Sequence, residues 1–151
     1  MIRLLNLNDN REALQVLALQ QASYRVEADI IGFEDIPPLM DSMDSLRRSG
    51  ESFLGSFEDE ELAGMLAYTK AKGQVTICRL GVHPDYFRKG TASRLLLHLE
   101  AAEPGISRFV VSTGSLNEPA VRLYKKHGFE PTEEWEVAEG VALTTFRKDR
   151  K

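Results

Sequence analysis

Among 151 residues the chain holds one cysteine, one tryptophan and three histidines. The lone Cys78 excludes an internal disulfide. It sits in an expected strand and reads as a small buried hydrophobe, a reactive thiol being the alternative. No apolar run approaches the ~20 residues that a membrane span requires. The first residues lack the basic-then-apolar layout of a signal peptide, so the expected compartment is cytoplasmic. Excess cation is missing too: 19 Lys and Arg stand against 23 Asp and Glu, a net charge of −4. That balance argues against a general nucleic-acid binder, whose affinity comes from surplus Lys and Arg. Repeats, low-complexity stretches and linkers are absent. So are the two best-known phosphate-binding strings, G-x-G-x-x-G and G-x-x-x-x-G-K-[ST].

What is present is ordinary in bulk and specific in two places. Hydrophobic residues are 42% and charged residues 28%, the composition of a soluble domain, and the length suits one domain over residues 1–151. The first specific place begins with an apolar, partly β-branched stretch through Val75, Thr76, Ile77, Leu80 and Val82, which breaks at Pro84. A loop with Arg88, Lys89 and Gly90 follows, and then a leucine-rich helix. Strand, glycine turn and helix start together build an anion cradle. The free N–H groups of the first helical turn converge, the helix dipole adds roughly half a positive charge, and glycine admits the ligand closely. Arg88 and Lys89 add mobile charge at the rim, and Ala92 stays small. The pattern points to a pyrophosphate.

The second place is residues 117–129. Asn117 suits a helix N-cap, Pro119 an early helical position, and Gly128 the left-handed residue that ends a helix. Ala120, Leu123 and Tyr124 share one helical face. From spacing alone, Tyr124 reads equally as a core aromatic or as a functional group.

Phe87-Arg88-Lys89-Gly90-Thr91-Ala92 resembles the acyl-CoA-binding signature of the GNAT superfamily of N-acetyltransferases: Gln or Arg, two variable residues, Gly, a variable residue, then Gly or Ala. Phe87 departs from it, standing where that family carries a polar side chain. Asn117, Ala120, Leu123, Tyr124, Gly128 and Phe129 fill every position of the family's second pattern. The resemblance spans residues 52–147. It implies an α/β (α+β) fold, a mixed, strongly twisted sheet of about seven strands flanked by about four helices. The sheet would splay between its fourth and fifth strands, Gln74–Val82 and Phe109–Ser115. It implies acetyl-CoA as cosubstrate and no metal. Leu80, Gly81 and Val82 would flank the pantetheine arm. Phe87, Arg88, Lys89, Gly90, Thr91, Ala92 and Ser93 would line the pyrophosphate site, and Asn117 and Tyr124 would also belong to the cosubstrate site. A bulge near Leu80 to Val82 would aim a backbone N–H at the thioester carbonyl; Gly81 suits such a bulge, or is simply a small strand residue.

The rest of the chain completes the order β-α-α-β-β-β-α-β-α-β-β. Ile2–Leu5 is expected as a strand. Asp9 or Asn8 caps a helix along Leu14, Leu17 and Ala18, then Gln21 and Ala22. Residues 24–38 read as irregular, and Pro37-Pro38 starts a helix over Leu39–Arg48. Ser52–Phe57 and Leu62–Thr69 flank the acidic turn Glu58–Glu61. The helix after Gly90 ends near Pro104-Gly105, and Glu133–Val137 pairs with Val141–Arg147.

Acyl transfer to an amine needs an acid for the thiolate and a base for the ammonium. The thiol resembles cysteine at about 8.5, so a phenol near 10 can protonate the departing thiolate; Tyr124 is the candidate. Removing a proton from an alkylamine near 10.4 costs about 4–5 kcal/mol at neutral pH. Many members of the family place a glutamate on the strand before the phosphate loop, but here that stretch is Thr76, Ile77, Cys78, Arg79 and Leu80. Glu27 and Glu34 are the best remaining candidate bases, although each reads more readily as a solvated loop carboxylate. His83 reads as a surface turn, and His127 as a cation at a helix C-terminus. Tyr24, Ile31, Phe33, Pro37 and Pro38 suggest an acceptor pocket wall. Glu133, Glu134, Glu136 and Glu139 add a negative field. Trp135 either lines that cleft or packs on the hairpin. The implied activity is direct acetyl transfer in a ternary complex to a primary amine of a small molecule, amino acid or peptide. The alternative is an acyl-CoA-binding module with a regulatory role. A homodimer is compatible with either.

Overall fold

The structure is a computed structural model and describes residues 1–32 and 37–150. In chain order the strands are β1 Ile2–Leu4, β2 Ser52–Glu58, β3 Glu61–Ala71, β4 Gln74–Val82, β5 Arg108–Gly114, β6 Glu130–Ala138 and β7 Val141–Asp149. The helices are α1 Asn10–Ile31, α2 Met43–Arg48, α3 Thr91–Ala102 and α4 Glu118–Lys126. The strands form one sheet ordered β1-β2-β3-β4-β5-β7-β6. Every pairing is antiparallel except β4 with β5. That parallel pair runs only from Gln74↔Arg108 to Ile77↔Val111, after which the two strands part. The expected splay is therefore present, between the fourth and fifth strands.

A bulge marks the parting point, but not where the resemblance put it. Against β3, Ala67 pairs with Arg79 and Tyr68 with Ile77, which leaves Cys78 as the extra residue of β4. An unpaired residue bends its strand and tightens the local twist. The bulge also turns Cys78 outward, so the thiol expected in the core is exposed. Burial of its remaining surface, and next Glu51, push that thiol up, which makes it a poorer nucleophile.

Two apolar layers cover the sheet. Leu95, Leu96 and Leu99 of α3 pack with Phe109, Tyr124 and Phe146. On another cluster, Val16, Leu19 and Tyr24 of α1 meet Leu46, Phe53 and Met65. Asp9 caps α1 by accepting from the Arg11 N–H, and Gly32 ends it in the left-handed conformation at φ +71°. The helix thus runs through residues 24–31, which sequence periodicity left irregular. Its inward face is Ala13, Val16, Gln20, Tyr24 and Ala28, whereas Leu14, on the expected face, is 57% exposed. The expected helix over Leu39–Arg48 is divided: a 3-10 turn spans Pro37–Met40, and α2 starts afresh where Ser42 and Ser45 form a reciprocal capping box. The strands of the hairpins are one to three residues longer than expected at several ends. Among the described residues no helix is long and apolar enough to cross a membrane.

Candidate active site

The β4–α3 connection has a conformation that few sequences tolerate. Arg88 sits at φ +64° and Gly90 at φ +77°. A left-handed arginine costs roughly 1–2 kcal/mol, strain of the kind that collects at ligand-binding loops. Gly90 is the N-cap of α3 and no side chain caps that end, so the first N–H groups of the helix face outward from the turn. Arg94 donates to the Lys89 carbonyl at 2.7 Å and pins the loop from behind. Lys89 lies over the Tyr86 ring at 5.4 Å. Gly64 lets α3 start against β3: a Cβ there would stand 2.7 Å from Thr91 Cγ2. Ser93 Oγ is 2.9 Å from His127 Nε2. His127 is the C-cap of α4, at the helix end where the sequence put it. Burial, then the neighbouring Lys148, pushes it below its ordinary value, which disfavours the cation there.

A cavity of about 550 Å³ runs from this cradle along β4, between α1 and α4. Its walls include Leu80, Val82, Phe87, Arg88, Gly90, Thr91, Ala92, Ser93, Asn117 and Tyr124. Gly81 and Lys89 are absent from those walls. A second cavity of about 80 Å³ adjoins it and is lined by Tyr24, Cys78, Arg79 and Thr113, among others. Glu27, Leu80, Asn117, Ala120 and Tyr124 belong to both, and so mark the junction. Neither Trp135, which is 41% exposed on β6, nor the glutamates of that strand lines either space. Glu34 and Phe33 lie outside the described residues.

The junction is polar and organised. Glu27 is half-buried on α1, and its Oε1 accepts from Asn117 Nδ2 at 3.2 Å and from Thr113 Oγ1 at 3.5 Å. Burial pushes its carboxyl up, partly offset by those two hydrogen bonds. Asn117 is bifunctional: its Oδ1 caps α4 by accepting from the Ala120 N–H at 3.4 Å while its amide holds Glu27. Tyr124 is 4% exposed, with its ring between Phe129 at 5.7 Å and Phe146 at 5.8 Å. Among the described residues nothing hydrogen-bonds its hydroxyl. Burial, and next the Glu27 charge, push the phenol up and keep it protonated.

Sequence reasoning missed what α1 does to β4. Tyr24 Oη accepts from the Leu80 N–H at 3.0 Å, and Ser23 Oγ from the Val82 N–H at 3.2 Å. Gly81 allows this contact, because a Cβ there would stand 2.9 Å from Ser23 Oγ. Its smallness serves helix–strand approach, with Gly81 paired normally to Met65. Arg79, in the stretch where no carboxylate was found, is mostly buried. It binds Asp41 at 2.5 Å, Glu51 at 2.8 Å and Gln20 Oε1 at 2.8 Å. This ties α1 and the segments around α2 to β4. Patterning carries no trace of such partners, because they come from elements 28 to 59 residues apart.

The Acetyltransferase (GNAT) family model matches residues 13–129. A curated relative, UPF0157 protein YqkA of Bacillus subtilis (strain 168), is 37% identical over 146 residues. That match takes in 97% of this chain and 43% of the relative, so the chain spans less than half the relative's length. Solved structures share the fold at lower identity. The ribosomal-protein-S18-alanine N-acetyltransferase of Escherichia coli superposes with TM-score 0.78 at 16% identity, covering 99% of this chain and 92% of that one. The PaiA N-acetyltransferase of Thermoplasma acidophilum, in complex with coenzyme A, gives 0.77 at 20% identity, covering 99% and 98%. An aminoglycoside 6'-N-acetyltransferase complexed with coenzyme A gives 0.76 at 14%, covering 99% and 96%. By the family match over most of its length, and by a fold that agrees with it, this chain belongs to the GNAT acetyltransferase family.

Proposed function

We propose that the chain is an acetyl-CoA-dependent N-acetyltransferase acting on a primary amine of a small molecule, amino acid or peptide. The observation that carries this reading is the junction of the two cavities, where a positioned carboxylate, Glu27, and a protonated phenol, Tyr124, with no hydrogen-bond partner among the described residues, share one wall. The cavity leading to it fits the cosubstrate in three respects. Its volume is in the range of ligand sites. Its outer end is an uncapped helix start with Arg88 at the rim, complementary to a pyrophosphate. Its inner end runs along β4 at Leu80 and Val82, where that strand has parted from β5 and an extended, amide-bearing arm can lie.

An acetyl thioester bound there would supply the acyl group and a thiolate leaving group. The cradle at Gly90, with Thr91, Ala92 and Ser93, orients the phosphates. Glu27 takes the proton of the acceptor ammonium; its burial raises its affinity for that proton and narrows the gap to the amine. Asn117 and Thr113 fix the carboxylate, so it is pre-aimed. Tyr124 gives its proton to the departing thiolate and takes one back from the nitrogen, which sheds its second proton as the amide forms. Glu27 thereby supplies from α1 the carboxylate that β4 does not carry.

The test is calorimetry with acetyl-CoA, then a free-thiol assay against a panel of amines. Binding with thiol release on one amine class supports the reading and identifies the acceptor. Binding without release on any amine favours a regulatory acyl-CoA module. No binding refutes the assignment of the Gly90 loop.

A further inference from the structure

The open edge of β4 has already been claimed by α1. His83 N–H donates to the Ala63 carbonyl across β3. With Gly81 opposite Met65 and Arg79 opposite Ala67, alternation turns the N–H groups of Leu80 and Val82 away from β3, toward the splay. No β5 residue pairs with them, because that pairing stops at Ile77. Left alone they would be two unsatisfied donors facing the cleft. Instead Tyr24 Oη accepts from one and Ser23 Oγ from the other.

A hydroxyl that accepts still has its own proton to give. The pair therefore relays two strand donors outward as two hydroxyl donors. The two are not equivalent. Ser23 Oγ swings with a single side-chain torsion and can leave the edge. The Tyr24 hydroxyl lies on the axis of its ring, so a ring flip leaves it in place, and the ring is 6% exposed within the α1 core cluster. Among the described residues its proton has no acceptor. It lines the same small cavity as Glu27, Leu80 and Tyr124. Accepting from Leu80 polarises its own O–H and makes it a stronger donor.

We propose that Tyr24 is a further catalytic group of this site: its hydroxyl, held by the Leu80 N–H, donates to the acyl carbonyl oxygen of the bound thioester. This rests on the acetyl-CoA reading above. The carbonyl gains negative charge when the amine attacks, and a fixed donor there is worth more in the transition state than in the ground state. Burial, and next the Glu27 charge, hold the phenol in its protonated, donating form. In the arrangement implied by the family resemblance a backbone N–H contacts the carbonyl directly; here a phenol stands between them.

Tyr24→Phe tests this with a readout other than turnover. The probes are CoA, which lacks the carbonyl, and a 13C-carbonyl acetyl-CoA analogue with methylene in place of sulfur. In the wild type the carbonyl infrared band should shift to lower frequency on binding, and the analogue should bind about 3–10-fold more tightly relative to CoA than it does in the variant. In Tyr24→Phe that shift should be lost while CoA affinity is kept, which also shows that the variant is folded. Ser23→Ala should retain the shift. If Tyr24→Phe does not fold, the wild-type Tyr24 ring carbon bearing the hydroxyl is followed by NMR, with the other three tyrosines assigned by their own variants. It should respond to the analogue and not to CoA. A band shift equal in wild type and variant, or a Tyr24 resonance blind to the analogue, overturns the inference alone. A wild type that binds neither probe overturns the acetyl-CoA reading, and this inference with it.

Discussion

Glu27→Gln separates the proposed catalytic role of this carboxylate from its structural one, because the two respond with opposite sign. Glutamine keeps the shape, and its Oε1 can accept from Asn117 Nδ2 and Thr113 Oγ1 as the carboxylate does. What it removes is the charge. A general base contributes about 10²–10⁴-fold, so kcat/KM should fall by that factor, about 2.7–5.4 kcal/mol of barrier at 1.36 kcal/mol per decade. The limb of the pH–rate profile that rises as the carboxyl ionises should disappear. Stability should move the other way. The folded carboxyl is raised above its ordinary 4.5 by burial, so the folded state holds its proton after the unfolded chain has lost it. Its favourable contribution is complete below about 4.5, is lost as pH rises through the folded value, and leaves a constant penalty above that. Glutamine carries no such penalty. The melting temperature of the variant minus that of the wild type should therefore grow from pH 4 to pH 8, the exchange of stability for function often found at active sites. Scanning calorimetry at the two pH values, beside steady-state rates, reads both. A variant with unchanged rates and an unchanged pH profile would return Glu27 to the status of a passive wall residue. A stability difference that is flat or falls with pH would refute the buried-charge argument.

Three other perturbations bear on separate parts of the molecule. Gly90→Glu places a side chain at φ +77°, 3.3 Å from an Arg94 nitrogen, and a negative charge in the cradle; calorimetry should find no CoA binding, and unchanged affinity would sink the phosphate assignment. Tyr124→Phe should lower turnover by about 10²-fold with acetyl-CoA affinity nearly unchanged, since it removes a proton donor and keeps the ring between Phe129 and Phe146; wild-type turnover would reduce the tyrosine to packing. Arg79→Ala leaves Asp41 and Glu51 facing each other with no cation between them, each side chain only 12% exposed. Urea titration should show a loss of about 3–5 kcal/mol, and a loss below about 1 kcal/mol would mean that water already screens the cluster.

Sequence revealed the candidate site best where local chemistry alone fixes the backbone. A glycine at φ +77° before a helix and another at φ +88° after one are demanded by the turns themselves, so the segments at Gly90 and Gly128 could be placed from pattern. The α1 face could not. Its inward stripe includes Gln20, which is fully buried, and the small Ala13 and Ala28, so an apolar count favours the outer stripe through Leu14. Gln20 belongs inside because its amide meets Arg79 from β4 and Asp41. The bulge at Cys78 was equally hidden, since a bulge is a mismatch between two strands and neither strand records it alone. Glu27 was found as a candidate, but its loop reading failed because α1 continues to Ile31. Tyr24 was placed on a pocket wall for its ring, while the hydroxyl's partner lies 56 residues away.

The short parallel joint between β4 and β5 has a mechanical consequence. Four residue pairs, Gln74↔Arg108 to Ile77↔Val111, act as a hinge pin, and the strand beyond it is a lever. From Ile77 to Val82 that lever is about 16 Å long at about 3.3 Å per residue, so a rotation of about 4° at the pin moves its tip by about 1 Å. A misplacement of that size can cost ~10²-fold in rate. Val75, Ile77, Phe109 and Val111 at the pin are buried, and Ile77 and Val111 also line the small cavity. Substitutions there would tune the gauge of the cleft, and would register in an assay as changes in kcat before they registered as changes in fold.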